Sequence, residues 1–136
     1  MATDPRADLL AEPTDLDQPY WDGLAEGRLR VQRCGACQHW QAVPETFCFA
    51  CGADEMRWTD VSGKGTVHTF ITVHQKYHPA FYDLVPYNVS VIELDEGPRI
   101  TANIVNTAPN DVQIGMKVTA KPAPVGDRVA LFFEKE

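Results

Sequence analysis

The sequence contains two Cys-x-x-Cys pairs, which constrain the fold more than any other feature. Cys34 and Cys37 form the first pair, Cys48 and Cys51 form the second, and ten residues separate the pairs. Two such turns joined by a short hairpin place four thiolates at the corners of a tetrahedron, which Zn²⁺ favours at about 2.3 Å per sulfur. The spacing therefore predicts a zinc ribbon in the first half of the chain, with all four cysteines as ligands.

Three other uses of these cysteines compete with zinc: two disulfides, a redox pair, or iron in a rubredoxin-like site. Disulfides need an oxidising setting that nothing in the sequence supports, whereas the residues do not separate zinc from iron. A site closed by four cysteines has no open position, so we predict a metal that serves folding rather than catalysis. Gly35 and Gly52 are expected to let the backbone bend tightly around this metal.

The charge balance argues against polyanionic partners. The chain has 19 acidic and 12 basic side chains and a formal net charge of -7, whereas nonspecific nucleic-acid binding depends on Lys and Arg neutralising phosphates. No stretch approaches the ~20 apolar residues that a membrane helix needs, and the polar start of the chain lacks an apolar signal region. We therefore predict a cytoplasmic protein with no nucleic-acid or membrane partner.

Residues 1–27 are predicted to form a leader followed by a short helix. Residues 1–16 have the composition of a flexible leader, or alternatively of an arm that orders on a partner. Asp17 is a plausible helix N-cap through its carboxylate, and Pro19 falls in the first turn, where its missing N–H costs least. Gly27 suits the left-handed residue that closes a helix.

The rest of the chain predicts a mostly β fold. We expect the ribbon over residues 28–60 and a small barrel over residues 61–136, because β-branched residues and alternation dominate that half and closure removes sheet edges. A turn containing Pro122, Pro124 and Gly126 is expected before the last strand. Five strands are predicted in the barrel, over the ranges 65–77, 87–94, 99–105, 114–120 and 129–134.

One segment outside the ribbon concentrates polar and aromatic functional groups. On a strand, His74 and His78 would share a face with Lys76 between them, which suggests contacts to phosphate. Tyr77, Phe81 or Tyr82 would stack on a base. The alternative is a surface strand that runs into an aromatic-packed loop. No catalytic constellation is evident elsewhere, because neither serine has the Gly-x-Ser-x-Gly setting of a hydrolase.

Taken in order, these pieces resemble one known family. The likeness rests on the following residues and segments: Tyr20-Trp21 with Gly27 and Leu29, Gln32 to Cys37, Cys48 to Gly52, Trp58, Val61 to Val67, His78 to Phe81, Val85 to Tyr87, Glu93 to Arg99, Asn103 to Val105 and Ile114 to Val118. The chain resembles the acyl-CoA-associated proteins of bacteria and archaea that join a rubredoxin-like zinc ribbon to an OB-fold, long described as a domain of unknown function.

The resemblance implies an accessory role. Members of this family look like non-catalytic partners of thiolase-fold enzymes: thiolases and synthases in archaea, and aldolases in bacterial steroid side-chain breakdown. Some relatives are fused to, or pair with, a MaoC-like enoyl-CoA hydratase. The resemblance therefore predicts a subunit that binds such an enzyme and helps to hold or channel acyl-CoA, with the catalytic chemistry in the partner.

Two other functions fit the residues alone. An OB barrel can bind single-stranded nucleic acid through aromatic side chains and a basic groove, although the acidic balance argues against this. A rubredoxin-like electron carrier is the other alternative, and it requires iron in place of zinc.

Overall fold

The computed structural model of the chain describes residues 4–136 as a short helix, a three-stranded ribbon sheet and a closed barrel, so the mostly β fold is confirmed. Met1 to Thr3, the start of the predicted leader, lie outside the described residues. The elements are α1 (Gln18–Ala25), β1 (Arg30–Cys34), β2 (Trp40–Gln41), β3 (Met56–Asp60), β4 (Lys64–Val73), β5 (Tyr87–Leu94), β6 (Arg99–Val105), β7 (Lys117–Ala120), β8 (Ala123–Val125), β9 (Arg128–Ala130) and β10 (Phe132–Lys135).

The helix α1 begins and ends near the predicted residues, but its start is stabilised differently. Asp17 occupies the N-cap position without capping the helix through its side chain. Its carboxylate instead accepts a hydrogen bond from the backbone N–H of Thr14 at 2.7 Å, which fixes the turn before the helix. At the other end Gly27 has φ +78°, the left-handed conformation expected of a residue that closes a helix.

The segment before the helix packs on the chain's own barrel. Pro5–Leu9 forms a short 3-10 helix, and the guanidinium of Arg6 lies over the ring of Phe132 at 5.6 Å. The side chain of Arg128 donates to the carbonyl oxygen of Ala11 at 2.8 Å. The sequence predicted a flexible leader or an arm that orders on a partner, whereas the described part of this segment is ordered against β9 and β10.

The ribbon sheet is centred on β1, which pairs antiparallel with both β2 and β3. Its apolar residues point into the same core as the barrel, because Leu29 and Val31 are buried among barrel residues. The backbone N–H of Val61 also donates to the carbonyl oxygen of Leu29 at 3.0 Å. The ribbon and the barrel therefore share one continuous hydrophobic core rather than packing as separate units.

The barrel closes through five strands in the order β10-β6-β5-β4-β7, with β10 also paired to β7. Alternation along β5 places Asn88, Ser90, Ile92 and Leu94 inside, and β10 closes the barrel by pairing parallel with β6. β4 is bulged between Val67 and Thr69, which lets this long strand curve. The buried apolar side chains of the shared core are Leu29, Val31, Val67, Ile92, Leu94, Ile104, Val112, Val118 and Phe133.

The end of the chain differs from the predicted turn and single final strand. The segment expected to form a turn contains the hairpin strand β8, which pairs with β9, and the predicted strand 129–134 is divided at Leu131. The division has a topological cause, because β9 pairs with β8 whereas β10 must pair with β6 and β7 to close the barrel. One continuous strand does not satisfy both sets of partners.

A buried amide joins β5 to β6 beyond the last paired residues of their ladder. Asn88 is 3% exposed, and its side chain donates to the carbonyl oxygen of Ile104 at 2.7 Å and accepts from the Ile104 N–H at 2.8 Å. The hydroxyl of the buried Ser90 donates to the same Asn88 oxygen at 2.8 Å. Each of these buried polar groups has a partner, so the network stabilises the barrel where β6 leaves β5 for β10.

Candidate metal centre and the loop after the first barrel strand

The four cysteine sulfurs converge on one point between the two turns of the ribbon. All four sulfur atoms lie within 4.8 Å of one another, and this is the one group of three or more potential metal ligands found among residues 4–136. Cys34 and Cys51 have their sulfurs 3.7 Å apart, and Cys37 and Cys48 have theirs 3.6 Å apart. A tetrahedron with metal–sulfur bonds of about 2.3 Å has edges of about 3.8 Å, so the donor set fits a single metal ion.

These distances also decide against disulfides in this conformation. A disulfide requires sulfurs about 2.05 Å apart, whereas all four cysteines are free thiols here. Cys34 and Cys48 are buried and Cys37 and Cys51 are exposed. Each pair therefore contributes one inner and one outer sulfur to the centre.

The two cysteine turns repeat the same backbone pattern. The N–H of Gln38 donates to the Cys34 carbonyl oxygen at 3.0 Å, and the N–H of Gly52 donates to the Cys48 carbonyl oxygen at 2.8 Å. In each turn the residue after the second cysteine is left-handed, with φ +68° at Gln38 and +78° at Gly52. The expectation of a glycine-assisted bend is therefore met at Gly52, while a non-glycine residue adopts the equivalent conformation in the first turn.

Gly35 has a different reason to be glycine. Its φ is not positive, but a Cβ at this position would lie 2.9 Å from Nε of Arg57 on the neighbouring strand β3. The residue therefore provides space for the Arg57 side chain rather than backbone freedom. The prediction that glycine is required here is consistent with this contact, but the predicted reason, a tight bend of the backbone, is wrong.

Backbone N–H groups point at the two inner sulfurs and favour their thiolate form. The N–H groups of Cys37 and Ala36 lower the pKa of Cys34. Burial alone would raise the pKa of Cys48, but backbone hydrogen bonds led by those of Cys51 and Ala50 outweigh it and lower the pKa to about 7. The backbone therefore stabilises negative charge on the sulfurs of Cys34 and Cys48 even without a bound cation.

The two outer thiols are affected in the opposite direction. At Cys37 a backbone hydrogen bond from His39 lowers the pKa, but burial and the neighbouring thiols outweigh it and raise the pKa to about 12. At Cys51 hydrogen bonds with the Ala53 N–H and the Cys37 thiol lower the pKa, but burial and the thiols of Cys34 and Cys48 outweigh them and raise it. Four thiolates this close repel one another, so a cation is needed before all four can be deprotonated.

Two buried glutamines hold the loop that carries Cys48, and sequence reasoning missed both. Gln32 and Gln41 are cross-strand partners on β1 and β2, and they are 2% and 4% exposed. The Gln32 amide donates to the Glu45 carbonyl oxygen at 3.0 Å and accepts from the Glu45 N–H at 2.9 Å. The Gln41 amide donates to the Phe47 carbonyl oxygen at 3.1 Å and accepts from the Phe49 N–H at 3.1 Å. These amides take the place of a strand ladder on both sides of Cys48.

The predicted ligand-contact residues lie in a loop rather than on a strand. β4 ends at Val73, so His74 and His78 do not share a strand face, and the prediction of a common face is wrong. His74, Lys76, Tyr77 and His78 are exposed. The His78 ring accepts a hydrogen bond from the Ala80 N–H at 3.0 Å and caps the 3-10 turn Pro79–Phe81.

The loop divides its aromatic and basic groups between two places. His74 and Tyr77 line an open cavity of about 470 Å³ beside the end of β4. Phe81 packs against Tyr87 with ring centroids 5.4 Å apart and faces a different cavity, of about 240 Å³, under the N-terminal segment. Lys76 lies 6.0 Å from the centre of the Tyr82 ring. The structure therefore does not bring the five predicted residues around one cavity.

The chain matches two protein-family models, which together cover residues 21–122. Residues 21–57 match the model described as "ChsH2, rubredoxin-like zinc ribbon domain", and residues 58–122 match "ChsH2, C-terminal OB-fold domain". The chain belongs to this ChsH2 zinc-ribbon and OB-fold family. The resemblance inferred from the sequence is thereby confirmed.

The curated relatives of the chain include both longer proteins and scaffold proteins. The chain is 37% identical over 103 residues to the "Probable enoyl-CoA hydratase alpha subunit" of Thermomonospora curvata, covering 75% of this chain and 32% of that protein. It is 39% identical over 89 residues to a "DUF35 domain-containing scaffold protein" of Methanocaldococcus jannaschii, covering 65% of this chain and 62% of that protein. The chain thus spans about a third of the first relative and less than two thirds of the second.

The chain is also similar to a subunit of a steroid-CoA hydratase and to a chain of a solved aldolase structure. The chain is 32% identical over 111 residues to the "3-oxo-4,17-pregnadiene-20-carboxyl-CoA hydratase alpha subunit" of Mycobacterium tuberculosis, covering 74% of this chain and 32% of that protein. It also superimposes on a chain of the "Ltp2-ChsH2(DUF35) aldolase" with a TM-score of 0.83 and 29% identity. That match covers 93% of this chain and 98% of the other. Among residues 4–136, no helix is long and apolar enough to cross a membrane.

Replacing Gln41 by alanine is expected to weaken metal binding by about 10-fold to 100-fold, because groups that orient metal ligands contribute on this scale. The amide holds the backbone at Phe47 and Phe49, the residues on either side of Cys48. Competition with a chromophoric chelator measures the affinity. Gln75→Ala, at an exposed glutamine in the loop after β4, is the matched control and should leave the affinity unchanged. Equal affinities for Gln41→Ala and the unaltered chain would contradict this role.

Metal affinity is expected to fall as the pH falls. Cys37 and Cys51 have raised pKa values and therefore hold protons at neutral pH when no cation is present. A metal ion must displace these protons, so binding releases them and acid drives the reaction backwards. Titration calorimetry in buffers of different ionisation enthalpy at pH 7 measures the protons released. A heat of binding that does not depend on the buffer would show that no proton leaves.

Proposed function

We propose that this chain is a non-catalytic accessory subunit that binds a thiolase-fold acyl-CoA enzyme and helps to hold or channel its acyl-CoA substrate. The observation that carries the proposal is the structural likeness to a chain of the Ltp2-ChsH2(DUF35) aldolase, which covers 93% of this chain and so includes both the ribbon and the barrel. Relatives named as hydratase alpha subunits support an assembly with an enzyme subunit, so a MaoC-like hydratase is the second candidate partner. The steroid-derived substrate in one name favours a pathway of steroid side-chain breakdown.

The closed ligand set of the cysteine centre supports an accessory role. A centre with four cysteine ligands has no open position for water or substrate, so it performs no Lewis-acid chemistry. Among the described residues the one cluster of potential metal ligands is this cysteine set. Ser90 is buried and donates its hydroxyl to Asn88, so it does not serve as a nucleophile.

We propose that the metal is zinc and that Cys34, Cys37, Cys48 and Cys51 bind it. The sulfur spacing fits a tetrahedral ion, and the matching family model is described as a zinc ribbon. When bound, the ion joins the two cysteine turns and neutralises their thiolates. The backbone N–H groups at Cys34 and Cys48 hold the two inner sulfurs in place for it.

The loop from His74 to Phe81 is our candidate for contact with acyl-CoA in the assembled enzyme. Lys76 and the histidines offer cationic and hydrogen-bonding groups to phosphate, and Tyr77 or Phe81 offers a ring to the adenine. The assembled complex should bind CoA more weakly after Lys76→Ala by up to about fivefold, because one exposed charge contact contributes up to about 1 kcal/mol. Lys135→Ala, at an exposed lysine on β10, is the control. Equal CoA affinity in both variants would contradict a contact between this loop and CoA.

Affinity purification of the tagged chain from a lysate of its own organism tests the accessory role. Quantitative mass spectrometry of the retained proteins should find a thiolase-fold acyl-CoA enzyme in stoichiometric amount. Recovery of the chain alone contradicts the proposal. Recovery with nucleic acid that washes off in salt also contradicts it, and would favour the single-strand-binding alternative. A red preparation would indicate iron and the electron-carrier alternative.

A further inference from the structure

The barrel has an open strand edge along the second half of β4. β7 pairs with β4 only from Lys64 to Thr66, and the last contact on that side is the hydrogen bond from the Gly115 N–H to the Val67 carbonyl oxygen. From Thr69 to Val73, β4 pairs with β5 on one side, and none of the described strands of residues 4–136 pairs with it on the other. Backbone N–H and C=O groups on that side are therefore available to another strand.

The open edge has the features of a surface that is normally covered. Ile71 is 62% exposed and Tyr77 is 76% exposed, and both lie at the cavity of about 470 Å³ that borders the edge. Unpaired edges are usually protected by lysine, proline or a bulge. The bulge in β4 precedes Thr69, and neither lysine nor proline occurs between Thr69 and Val73. The edge is thus long enough and apolar enough to accept an added strand.

The charge of this segment indicates which kind of strand it accepts. The chain carries a net charge of -7, yet the segment from Val61 to Tyr82 contains no Asp or Glu. It holds three of the four histidines of the chain, His68, His74 and His78, and two lysines, Lys64 and Lys76. Lys64 lies where β7 covers β4 and is 3.7 Å from Glu136, so Lys76 is the lysine that follows the open edge. An acidic extended segment is complementary to this edge, whereas a second copy of the same edge would bring like charges together.

We propose that the open edge of β4, from Thr69 to Val73, accepts an extended acidic segment of the enzyme subunit as an additional β-strand. Main-chain hydrogen bonds to the edge provide the affinity, and alternate side chains of the added strand meet Ile71 and the bordering cavity. Five paired residues span about 17 Å, which is ordinary for a strand. This inference rests on the proposed function, because it names the surface through which the subunits join.

Hydrogen exchange on the complex reconstituted from the chain and its co-purified enzyme subunit tests the inference. The outward-pointing amides between Thr69 and Val73 should exchange at least about tenfold more slowly in the complex than in the free chain, because an added strand gives them acceptors. A complex in which these amides exchange as in the free chain would overturn strand addition and leave the accessory role intact. If no acyl-CoA enzyme co-purifies, both proposals fall together.

A matched pair of variants tests the acidic character of the added strand. Thr69, Val91 and Thr101 lie side by side across β4, β5 and β6, and both threonines are exposed, but only Thr69 is at the open edge. Thr69→Glu should weaken the complex about tenfold, whereas Thr101→Glu should leave it unchanged and Thr69→Lys should not weaken it. Equal effects of the two glutamates would contradict the proposal. So would concentration-dependent protection of the edge in the isolated chain, which would assign it to a second copy.

Discussion

Replacing Cys48 by serine is expected to abolish metal binding, unfold the ribbon and eliminate partner binding. The side chain is 1% exposed, its sulfur lies 3.6 Å from that of Cys37, and backbone N–H groups point at it. A hydroxyl is a poor zinc ligand beside three thiolates, and a structural zinc ion contributes on the order of 10 kcal/mol to the folded state of a small ribbon. Few other contacts replace that contribution, because the turn segment around Cys48 has no strand ladder of its own and depends on the two buried glutamines.

Metal content by mass spectrometry, near-ultraviolet circular dichroism and co-purification measure the effect of Cys48→Ser. Bound metal should fall from about one equivalent to below about 0.1, because three thiolates and a hydroxyl bind the ion far more weakly than four thiolates. Ala50→Ser, which adds a hydroxyl in the same turn without removing a sulfur, should keep the metal, since Ala50 is exposed and contributes its backbone N–H. A Cys48→Ser chain that remained folded and retained its partner would contradict a structural role for the metal.

Replacing Phe133 by alanine is expected to lower the free energy of unfolding by about 3–5 kcal/mol, the range for a fully buried phenylalanine. The side chain is 0% exposed at the centre of the shared core. Its backbone pairs with Ile104 on β6 and with Ala120 on β7, so Phe133 lies where the last strand closes the barrel. The cavity left by the ring would therefore weaken both the core and the closure.

Urea unfolding with the metal site saturated measures the change for Phe133→Ala. Val43→Ala is the control truncation, because Val43 is 65% exposed in the ribbon. Its free energy of unfolding should stay within about 1 kcal/mol of that of the unaltered chain, as is usual for surface positions. A loss below 1 kcal/mol at Phe133 would show that β10 does not complete the barrel core.

The features predicted correctly from the sequence are those that repeat at short range. Four cysteines at Cys-x-x-Cys spacing indicated one metal centre, and the four sulfurs do converge within 4.8 Å. Alternation along 87–94 indicated a strand with one buried face, and β5 buries Asn88, Ser90, Ile92 and Leu94. In both cases a few neighbouring residues determine the geometry, so a local pattern is sufficient.

The features that were missed depend on partners distant in the chain. Gln32 and Gln41 are polar residues in strands, and nothing local shows that their amides bind the backbone of the Cys48 loop. The break at Leu131 arises because β9 and β10 pair with different strands. β4 ends at Val73, so His74 and His78 do not lie on the strand face that was predicted for them. One sequence feature could have indicated such side-chain-to-backbone bonds: an Asn or Gln at a strand position whose neighbours predict burial, such as Asn88. A buried amide must find hydrogen-bond partners.

The most direct test of the accessory role is the acyl-CoA turnover of the co-purified enzyme subunit, measured alone and with increasing amounts of this chain. The chain alone should have no activity. Addition should raise the kcat/KM of the enzyme for its acyl-CoA substrate to saturation at a fixed stoichiometry, and the Cys48→Ser chain should not do so. Turnover by the enzyme subunit that does not change when the folded, metal-loaded chain is added would contradict the account.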